Sequence, residues 1–199
     1  MPENIYPEFA RQLGRSEKEA LLQQRGLVVW LYGLSGSGKS TLAGGLDRTL
    51  HSEGLFSYIL DGDNLRSGLN QDLGFSPADR EENIRRSAEI AKILLNAGII
   101  VIASFITPKR SLRQLACDII GAKDFFEVYL DCSLELCAER DVKGLYQKAK
   151  VGEIAQFTGY GSDFELPETP NLILDTGNTS QAECQKTLYD AIIDRIRAF

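Results

Sequence analysis

The feature that most restricts the fold of this chain is an apolar strand pattern followed at once by a glycine-rich motif. The run Leu27–Tyr32 is wholly apolar, and residues 33–40 then read Gly-Leu-Ser-Gly-Ser-Gly-Lys-Ser. Glycines at this spacing let backbone N–H groups surround phosphate oxygens, while Lys39 can reach β and γ phosphates and the Ser40 hydroxyl can ligate Mg²⁺. A plain glycine turn requires neither the preceding strand nor the Lys-Ser pair at this offset. The motif therefore predicts a strand–loop–helix unit that binds a nucleoside triphosphate.

Apolar runs and amphipathic stretches alternate along the rest of the chain. Short β-branched or aromatic runs predict strands, and stretches with helical spacing of apolar residues predict helices between them. This alternation predicts an α/β fold of the P-loop kinase type, a three-layer αβα sandwich around a five-stranded, mostly parallel sheet. The predicted strands are Leu27–Tyr32, Ser57–Leu60, Ile99–Ser104, Phe125–Asp131 and Asn171–Leu174, and the predicted helices are Lys39–His51, Ala78–Asn96 and Ser180–Arg197.

The chain of 199 residues, 43% of them hydrophobic, is long enough to bury one stable core. Residues 1–25 are polar and predict an N-terminal arm or helix, with a helix start near Ser16-Glu17-Lys18-Glu19. Residues 26–199 are then expected to form a single domain. Its stretch 141–170, rich in Lys, Gly and Tyr, is long for a plain loop and predicts a lid.

Charge and targeting signals restrict the partners. With 22 basic and 28 acidic residues the net charge is −6, which disfavours binding to nucleic acid or to an anionic membrane. No apolar stretch has transmembrane length and no leader pattern precedes the domain, so a soluble, cytoplasmic protein is expected. The four cysteines lack Cys-x-x-Cys spacing and histidine partners, which predicts reduced thiols rather than zinc ligands or a disulfide.

Two carboxylates follow the second predicted strand, in the sequence Asp61-Gly62-Asp63-Asn64. In a doubly wound sheet this strand end faces the ligand site, where a carboxylate can orient an acceptor hydroxyl, take its proton, or bind Mg²⁺. The same residues are also favoured in simple turns. Because the third strand ends at Ser104-Phe105 without an aspartate, Asp61 and Asp63 are the candidates for metal binding and base chemistry.

Several cations are placed to hold a second anion. Arg80 and Asn83 share a helix face by their spacing, Arg66 follows Asp63, and further cations flank later strand ends or the predicted lid. The alternative is a solvated charged helix face, which we prefer for Arg85 and Arg86. The further cations are Lys109, Arg110, Arg140 and Lys143.

Two phenylalanines lie in polar, glycine-containing loops, Phe75 in Gly-Phe-Ser-Pro and Phe157 in Phe-Thr-Gly. Such a pair can enclose a planar base, whereas each alone more often belongs to a small hydrophobic cluster. Together with the cations they favour a nucleotide as the phosphate acceptor.

From about Gly26 to Thr176 the chain resembles adenylyl-sulfate kinases (APS kinases). Taken in order, the matching segments are far more specific than the phosphate loop by itself. They are residues 33–41 (GLSGSGKST), 61–66 (DGDNLR), 68–76 (GLNQDLGFS), 79–86 (DREENIRR), 140–146 (RDVKGLY), 152–154 (GEI) and 157–159 (FTG).

The resemblance implies transfer of the γ-phosphoryl group of ATP to the 3′-hydroxyl of adenosine 5′-phosphosulfate (APS), with Mg²⁺, in a homodimer. It implies a catalytic role for Asp63, while Lys39 keeps its role in catalysis and Ser40 and Asp61 keep their roles as candidate Mg²⁺ ligands, as inferred above from their positions. ATP would be bound by Gly33, Leu34, Ser35, Gly36, Ser37, Gly38, Lys39, Ser40, Thr41 and Arg140. APS would be bound by Asp63, Arg66, Phe75, Arg80, Asn83, Ile106, Thr107, Lys143 and Phe157.

The chain departs from the family pattern at Thr107, where serine is usual, and at Lys109, where tyrosine is frequent. Residues 159–164 (GYGSDF) also differ near the predicted lid. Two other functions remain open from the residues: a small P-loop kinase for gluconate, shikimate or a nucleoside, and a catalytically silent nucleotide-binding domain. The first would not need both loop phenylalanines, and the second would not need Lys39, Asp63, Arg80 and Lys143 intact.

Overall fold

The computed structural model describes residues 11–154, 157–160 and 162–197. Its single sheet has the order β2-β3-β1-β4-β5, and all pairings between these strands are parallel. The predicted strands are confirmed, with ends displaced by at most one residue. Their bounds are β1 Leu27–Tyr32, β2 Ser57–Asp61, β3 Ile100–Phe105, β4 Phe125–Asp131 and β5 Leu172–Asp175.

The helices include the three that periodicity predicts and others that it does not. The described helices are α1 Arg15–Leu22, α2 Lys39–Ser52, α3 Gly62–Arg66, α4 Pro77–Asn96, α5 Arg110–Ile120, α6 Leu134–Arg140, α7 Leu145–Lys150 and α8 Gln181–Ile196. The predictions for α2, α4 and α8 are correct to within one residue at either end. The α3, α6 and α7 helices are too short to give a periodic signal, and α5 was not predicted although it is amphipathic.

Two apolar layers cover the sheet, one on each face. Val29 and Leu31 of β1 face a cluster that includes α2 and α8, whereas Val28 and Trp30 face a cluster that includes α4 and α5. Because β1 is buried on both faces, its sequence is continuously apolar instead of alternating. The predicted three-layer sandwich is therefore confirmed.

The start of α4 is fixed by its own sequence. Ser76 accepts a hydrogen bond from the backbone N–H of Asp79, and the Asp79 side chain accepts one from the Ser76 backbone. Pro77 occupies the first turn, where its missing N–H costs nothing. This capping box sets the register of the helix on which Arg80 and Asn83 lie.

The described part of the N-terminal arm packs at the amino end of the sheet. Arg15 on α1 donates to Asp124 Oδ2 at 2.7 Å and to the Gly26 carbonyl at 2.8 Å. The buried Gln24 amide bonds the backbone of Phe56 and Gly98, which precede β2 and β3. Residues 11–25 therefore lie at the edge opposite the carboxyl ends of the strands; residues 1–10 of the predicted arm and residues 198 and 199 of the predicted domain lie outside the described part.

The predicted lid, residues 141–170, is partly helical. It contains α7, whose Tyr146 and Ala149 pack with Cys137 and Phe157 in a third hydrophobic cluster. Residues 155, 156 and 161 of this segment lie outside the described residues. A return arm, residues 162–171, then leads to β5.

Within the described ranges no helix combines the length and apolar character needed to cross a bilayer. The cysteines are free thiols: Cys132, Cys137 and Cys184 are buried and Cys117 is partly buried. No group of three or more His, Cys, Asp or Glu side chains among the described residues is arranged to hold a metal ion.

Candidate active site

A cavity of about 1180 Å³ opens at the carboxyl ends of the strands. It brings together most of the residues singled out from the sequence: Ser35, Gly36, Ser37, Gly38, Lys39, Ser40, Thr41, Asp61, Asp63, Arg66, Phe75, Arg80, Asn83, Ile106, Thr107, Arg140, Lys143 and Phe157. Gly33 and Leu34 do not line it. Gly33 is buried at the end of β1, and Leu34 packs against the third hydrophobic cluster.

The phosphate loop has the backbone shape that its glycines permit. Gly36 and Gly38 have φ angles of +80° and +97°, a region that residues with a Cβ atom rarely adopt. Gly38 caps the N-terminus of α2, so the unpaired N–H groups of that helix end point to where phosphate would lie. A Cβ atom on Gly36 would also lie 2.8 Å from the Cys137 carbonyl oxygen.

Lys39 holds its ammonium group inside this loop. Its Nζ donates to the carbonyl oxygens of Gly33 at 3.0 Å and Leu34 at 2.7 Å. Burial lowers the pKa of Lys39 to about 8, although the Asp61 and Asp63 carboxylates act in the opposite direction. The ammonium is thus poorly solvated, which favours its pairing with an incoming phosphate.

Asp61 and Ser40 meet across the cavity floor. The Ser40 hydroxyl donates to Asp61 Oδ2 at 3.1 Å, and Asp61 Oδ1 accepts from the Asp63 backbone N–H at 3.0 Å. In the sheet β3 lies between β2 and β1, and its residue in register with Asp61 is the small Ser104. Asp61 nevertheless reaches the phosphate loop, as predicted.

Asp63 pairs with a residue from the predicted lid. The Lys143 ammonium forms an ion pair with Asp63 Oδ2, and both side chains are more than half exposed. Two residues assigned to the acceptor from separate motifs therefore lie together at the cavity mouth.

The far end of the cavity carries two guanidinium groups. Arg66 donates to the carbonyls of Leu73 and Gly74 and lies over the Phe75 ring, 4.6 Å from its centroid. Arg80 donates to the Phe75 carbonyl at 2.9 Å and to Thr158 Oγ1 at 2.9 Å. Burial and the nearby Arg66 lower the pKa of Arg80. This end of the cavity is therefore suited to an anion.

The two loop phenylalanines both reach the cavity but differ in burial. Phe75 is 63% exposed, whereas Phe157 is buried and meets Tyr146 edge-on at 4.8 Å between ring centroids. Phe157 thus belongs to a small hydrophobic cluster and also lines the cavity. That both rings stack on a base stays a prediction.

Four other predicted cations do not line the cavity. Arg85 and Arg86 form ion pairs with Glu82 on the surface, in line with our preferred interpretation. Lys109 does not line the cavity, and neither does Arg110, although it does flank the predicted lid. Its side chain instead holds the return arm, donating to the Leu166 carbonyl at 2.8 Å and to Glu168 at 2.5 Å.

A buried arginine behind the acceptor end was not predicted from the sequence. Arg113, only 4% exposed, donates to the carbonyls of Thr107 at 2.9 Å and Glu165 at 2.8 Å and lies 3.5 Å from Glu127. Thr107 has a φ of +40°, and its hydroxyl accepts a hydrogen bond from Trp30 Nε1 at 3.0 Å. The sequence pattern that could have revealed Arg113 is a charged residue on the otherwise apolar face of an amphipathic helix.

Two side chains that support the phosphate loop, Thr176 and Tyr146, were not predicted either. The Thr176 hydroxyl, just after β5, donates to the Ser37 carbonyl at 2.9 Å, and Arg140 donates to the Thr176 carbonyl at 2.8 Å. The Tyr146 hydroxyl donates to the Ser35 carbonyl at 2.8 Å. Thr176, Thr179 and Gln181 line the cavity together with Arg140. Thr176 could have been recognised because it directly follows a strand of a doubly wound sheet, where ligands bind.

Comparison with known proteins places this site in a family. The model of the family described as adenylylsulphate kinase matches residues 25–175. An adenylyl-sulfate kinase from Phocaeicola vulgatus is 56% identical over 191 residues, which cover 96% of this chain and 94% of the relative.

Solved structures agree with the sequence comparison. The APS kinase CysC of Mycobacterium tuberculosis, in complex with AMPPNP and APS, is similar with a TM-score of 0.82 and 46% identity, covering 85% of this chain and 98% of that one. The hexameric APS kinase of Thiobacillus denitrificans has a TM-score of 0.64 and 30% identity, covering 87% of this chain and 30% of that one. Since the family model spans most of the chain and a relative shares over half of its residues along nearly the full length, the chain belongs to the adenylylsulphate kinase family.

Proposed function

We propose that this protein transfers the γ-phosphoryl group of ATP to the 3′-hydroxyl of APS, giving 3′-phosphoadenosine 5′-phosphosulfate and ADP. The observation that carries the proposal is one continuous cavity. At one end it has the phosphate loop with Lys39, at its mouth Asp63, and at the other end Arg66 and Arg80. The membership of the family and the likeness to an APS kinase solved with AMPPNP and APS support this choice of substrates.

At the donor end, the N–H groups of the loop and Lys39 bind the ATP phosphates. Arg140 lies within reach of this loop, since its guanidinium bonds the Thr176 carbonyl beside Ser37. Phosphoryl transfer needs alignment and neutralisation of charge more than covalent help. A preformed cationic loop provides both for the transferring group.

The residues of the cavity floor fit Mg²⁺. Ser40 Oγ and Asp61 Oδ2 are hard oxygen donors only 3.1 Å apart, and Mg²⁺ prefers a few such ligands together with substrate phosphates. When bound there, the ion would neutralise charge on the β and γ phosphates. Ser40 and Asp61 would hold it, while Asp63 stays available to the acceptor.

At the acceptor end, Asp63 orients the 3′-hydroxyl and takes its proton. Arg66, Arg80 and Asn83 hold the phosphosulfate group, and Phe75 and Phe157 flank the adenine. Backbone groups of Ile106 and Thr107 contact the same ligand. Lys143 reaches the acceptor from the lid, where its partner without ligand is Asp63.

The lid segment excludes water from the site when both substrates are bound, which prevents hydrolysis of ATP. We further propose that residues 26–199 act as one catalytic domain, with residues 1–25 as an arm, in a cytoplasmic homodimer. The place of α1 at the opposite edge of the sheet supports an arm that leaves the cavity open.

A coupled assay of ADP release tests the function. We expect release with ATP, Mg²⁺ and APS, and background rates with gluconate or shikimate in place of APS. Faster release with gluconate or shikimate would assign the protein to another class of small kinase. No release with any acceptor, despite ATP binding, would make it a catalytically silent domain.

A further inference from the structure

A pair of buried amides joins two walls of the acceptor end. Asn70 is fully buried and Asn83 is 6% exposed, and Asn70 Nδ2 donates to Asn83 Oδ1 at 3.0 Å. Asn83 lines the cavity, whereas Asn70 does not. Asn70 therefore lies behind a residue proposed to bind the substrate.

The backbone holds Asn70 firmly in place. Its N–H donates to the Leu65 carbonyl at 2.8 Å, and its own carbonyl accepts from the Leu73 N–H at 3.1 Å. Asn70 thus belongs to the turn between α3 and α4, which follows Arg66 at the end of α3 and contains Phe75. Asn83 lies on α4, so the amide contact fixes one wall of the cavity against the other.

The direction of this hydrogen bond determines which group Asn83 offers to a ligand. A side-chain amide has one oxygen acceptor and one NH₂ donor. Because Asn83 Oδ1 already accepts from Asn70, the NH₂ group is the one left for the cavity. A phosphosulfate offers only acceptor oxygens at this end, so a reversed amide would place oxygen against oxygen.

Asn70 is not optimised for stability. Its own Oδ1 is buried and has no hydrogen-bond partner, and such an orphaned acceptor is costly in a folded protein. An apolar residue of similar size would remove this orphaned acceptor, but Asn83 Oδ1 would then lose its donor. The amide is thus explained by what its NH₂ group does to Asn83.

We propose that Asn70 is a positioning residue that sets the polarity of Asn83, so that an amide NH₂ faces the anionic group of the acceptor. This inference rests on the proposed function, because it requires an anionic acceptor at the Arg66 and Arg80 end of the cavity. It adds a specificity-determining residue that has no contact with the substrate.

The test is the isosteric variant Asn70→Asp. An ionised carboxylate cannot donate, so it accepts from Asn83 and turns the Asn83 oxygen into the cavity. We expect KM for APS to rise about tenfold or more, with KM for ATP changed less than about twofold. Asn70→Leu removes the donor without reversing Asn83, and its KM for APS should rise less, by about threefold.

The matched control is Gln71→Glu, which adds the same charge at the next, exposed position. Thermal melting of each variant separates folding from positioning. A purely structural Asn70 would lower Tm and leave KM for APS in both variants within twofold of wild type, which would overturn the inference. If Asn70→Asp does not fold, Asn70→Leu alone tests the inference. An unchanged KM for APS in folded Asn70→Leu would also overturn the inference.

The result is distinguishable from a failure of the proposed function. If wild-type protein releases no ADP with APS, the function itself is wrong and the inference falls with it. If wild type phosphorylates APS while Asn70→Asp behaves like Gln71→Glu, only the role of Asn70 is wrong.

Discussion

The donor end and the acceptor end of the cavity are built in different ways. The donor loop is one run of residues, 33–41, held between β1 and α2, and its shape follows from local backbone geometry. The acceptor end collects side chains from α3, α4, the turn after β3 and the lid segment. The donor end therefore depends on a short motif, while the acceptor end depends on contacts between segments that are distant in sequence.

The largest expected effect is at the donor end. Lys39→Met removes the cation at the β and γ phosphates, so we expect kcat/KM to fall by about a thousandfold or more, close to 4 kcal/mol of transition-state stabilisation. Steady-state ADP release with saturating APS measures it. Lys92→Met, at an exposed position of α4, is the control and should keep wild-type rates. A Lys39→Met enzyme with more than a tenth of normal activity would contradict the assignment.

Asp63 lies where the two ends meet, and its replacement should have the next largest effect on activity. Asp63→Asn keeps the shape but removes the base and the partner of Lys143, so kcat should fall well beyond tenfold. Binding of ATP, followed by calorimetry, should stay near normal because Lys39 and the loop are intact. Near-normal turnover of this variant would exclude Asp63 as base.

A change confined to the acceptor end should separate the two substrates. Arg80→Met removes a guanidinium that bonds both the Phe75 carbonyl and Thr158, so KM for APS should rise about tenfold while KM for ATP changes little. Initial rates with each substrate varied in turn measure the difference. An equal rise in both KM values would mean that the two ends are not separable.

The smallest effects are expected at Thr107. Thr107→Ser keeps the hydroxyl that accepts from Trp30, so rates should stay within about twofold of wild type. Thr107→Val leaves the buried indole N–H without a partner and should lower the free energy of unfolding by about 1–3 kcal/mol. Denaturant unfolding of both variants checks this, and equal stability of Thr107→Val and wild type would contradict a stabilising role for this hydrogen bond.

The same difference between local motifs and long-range contacts explains which parts of the structure could be predicted from the sequence. The strands, the phosphate loop and helices α2, α4 and α8 carry strong local signals, and they are where the sequence predicts them. The place of Arg80 and Asn83 on one cavity wall also followed from helical spacing.

The parts that could not be predicted depend on tertiary contacts. Arg113 is explained only once Thr107, Glu127 and Glu165 are known to surround it. Arg110 looked like a rim cation because nothing local reveals that Glu168 is its partner. The burial of Phe157 depends on Tyr146 in the short helix α7, which has no periodic signal of its own.

Gly36 has a consequence for how descendants of this chain would diverge. Its positive φ and the nearby Cys137 carbonyl exclude a side chain whether or not phosphate is ever bound. A copy that lost its activity would no longer need Lys39 to bind phosphate, yet the backbone geometry would still favour keeping Gly36. In a diverged homologue, a retained glycine at this position would therefore indicate only common descent. A retained lysine three residues later would indicate that the enzyme is still active.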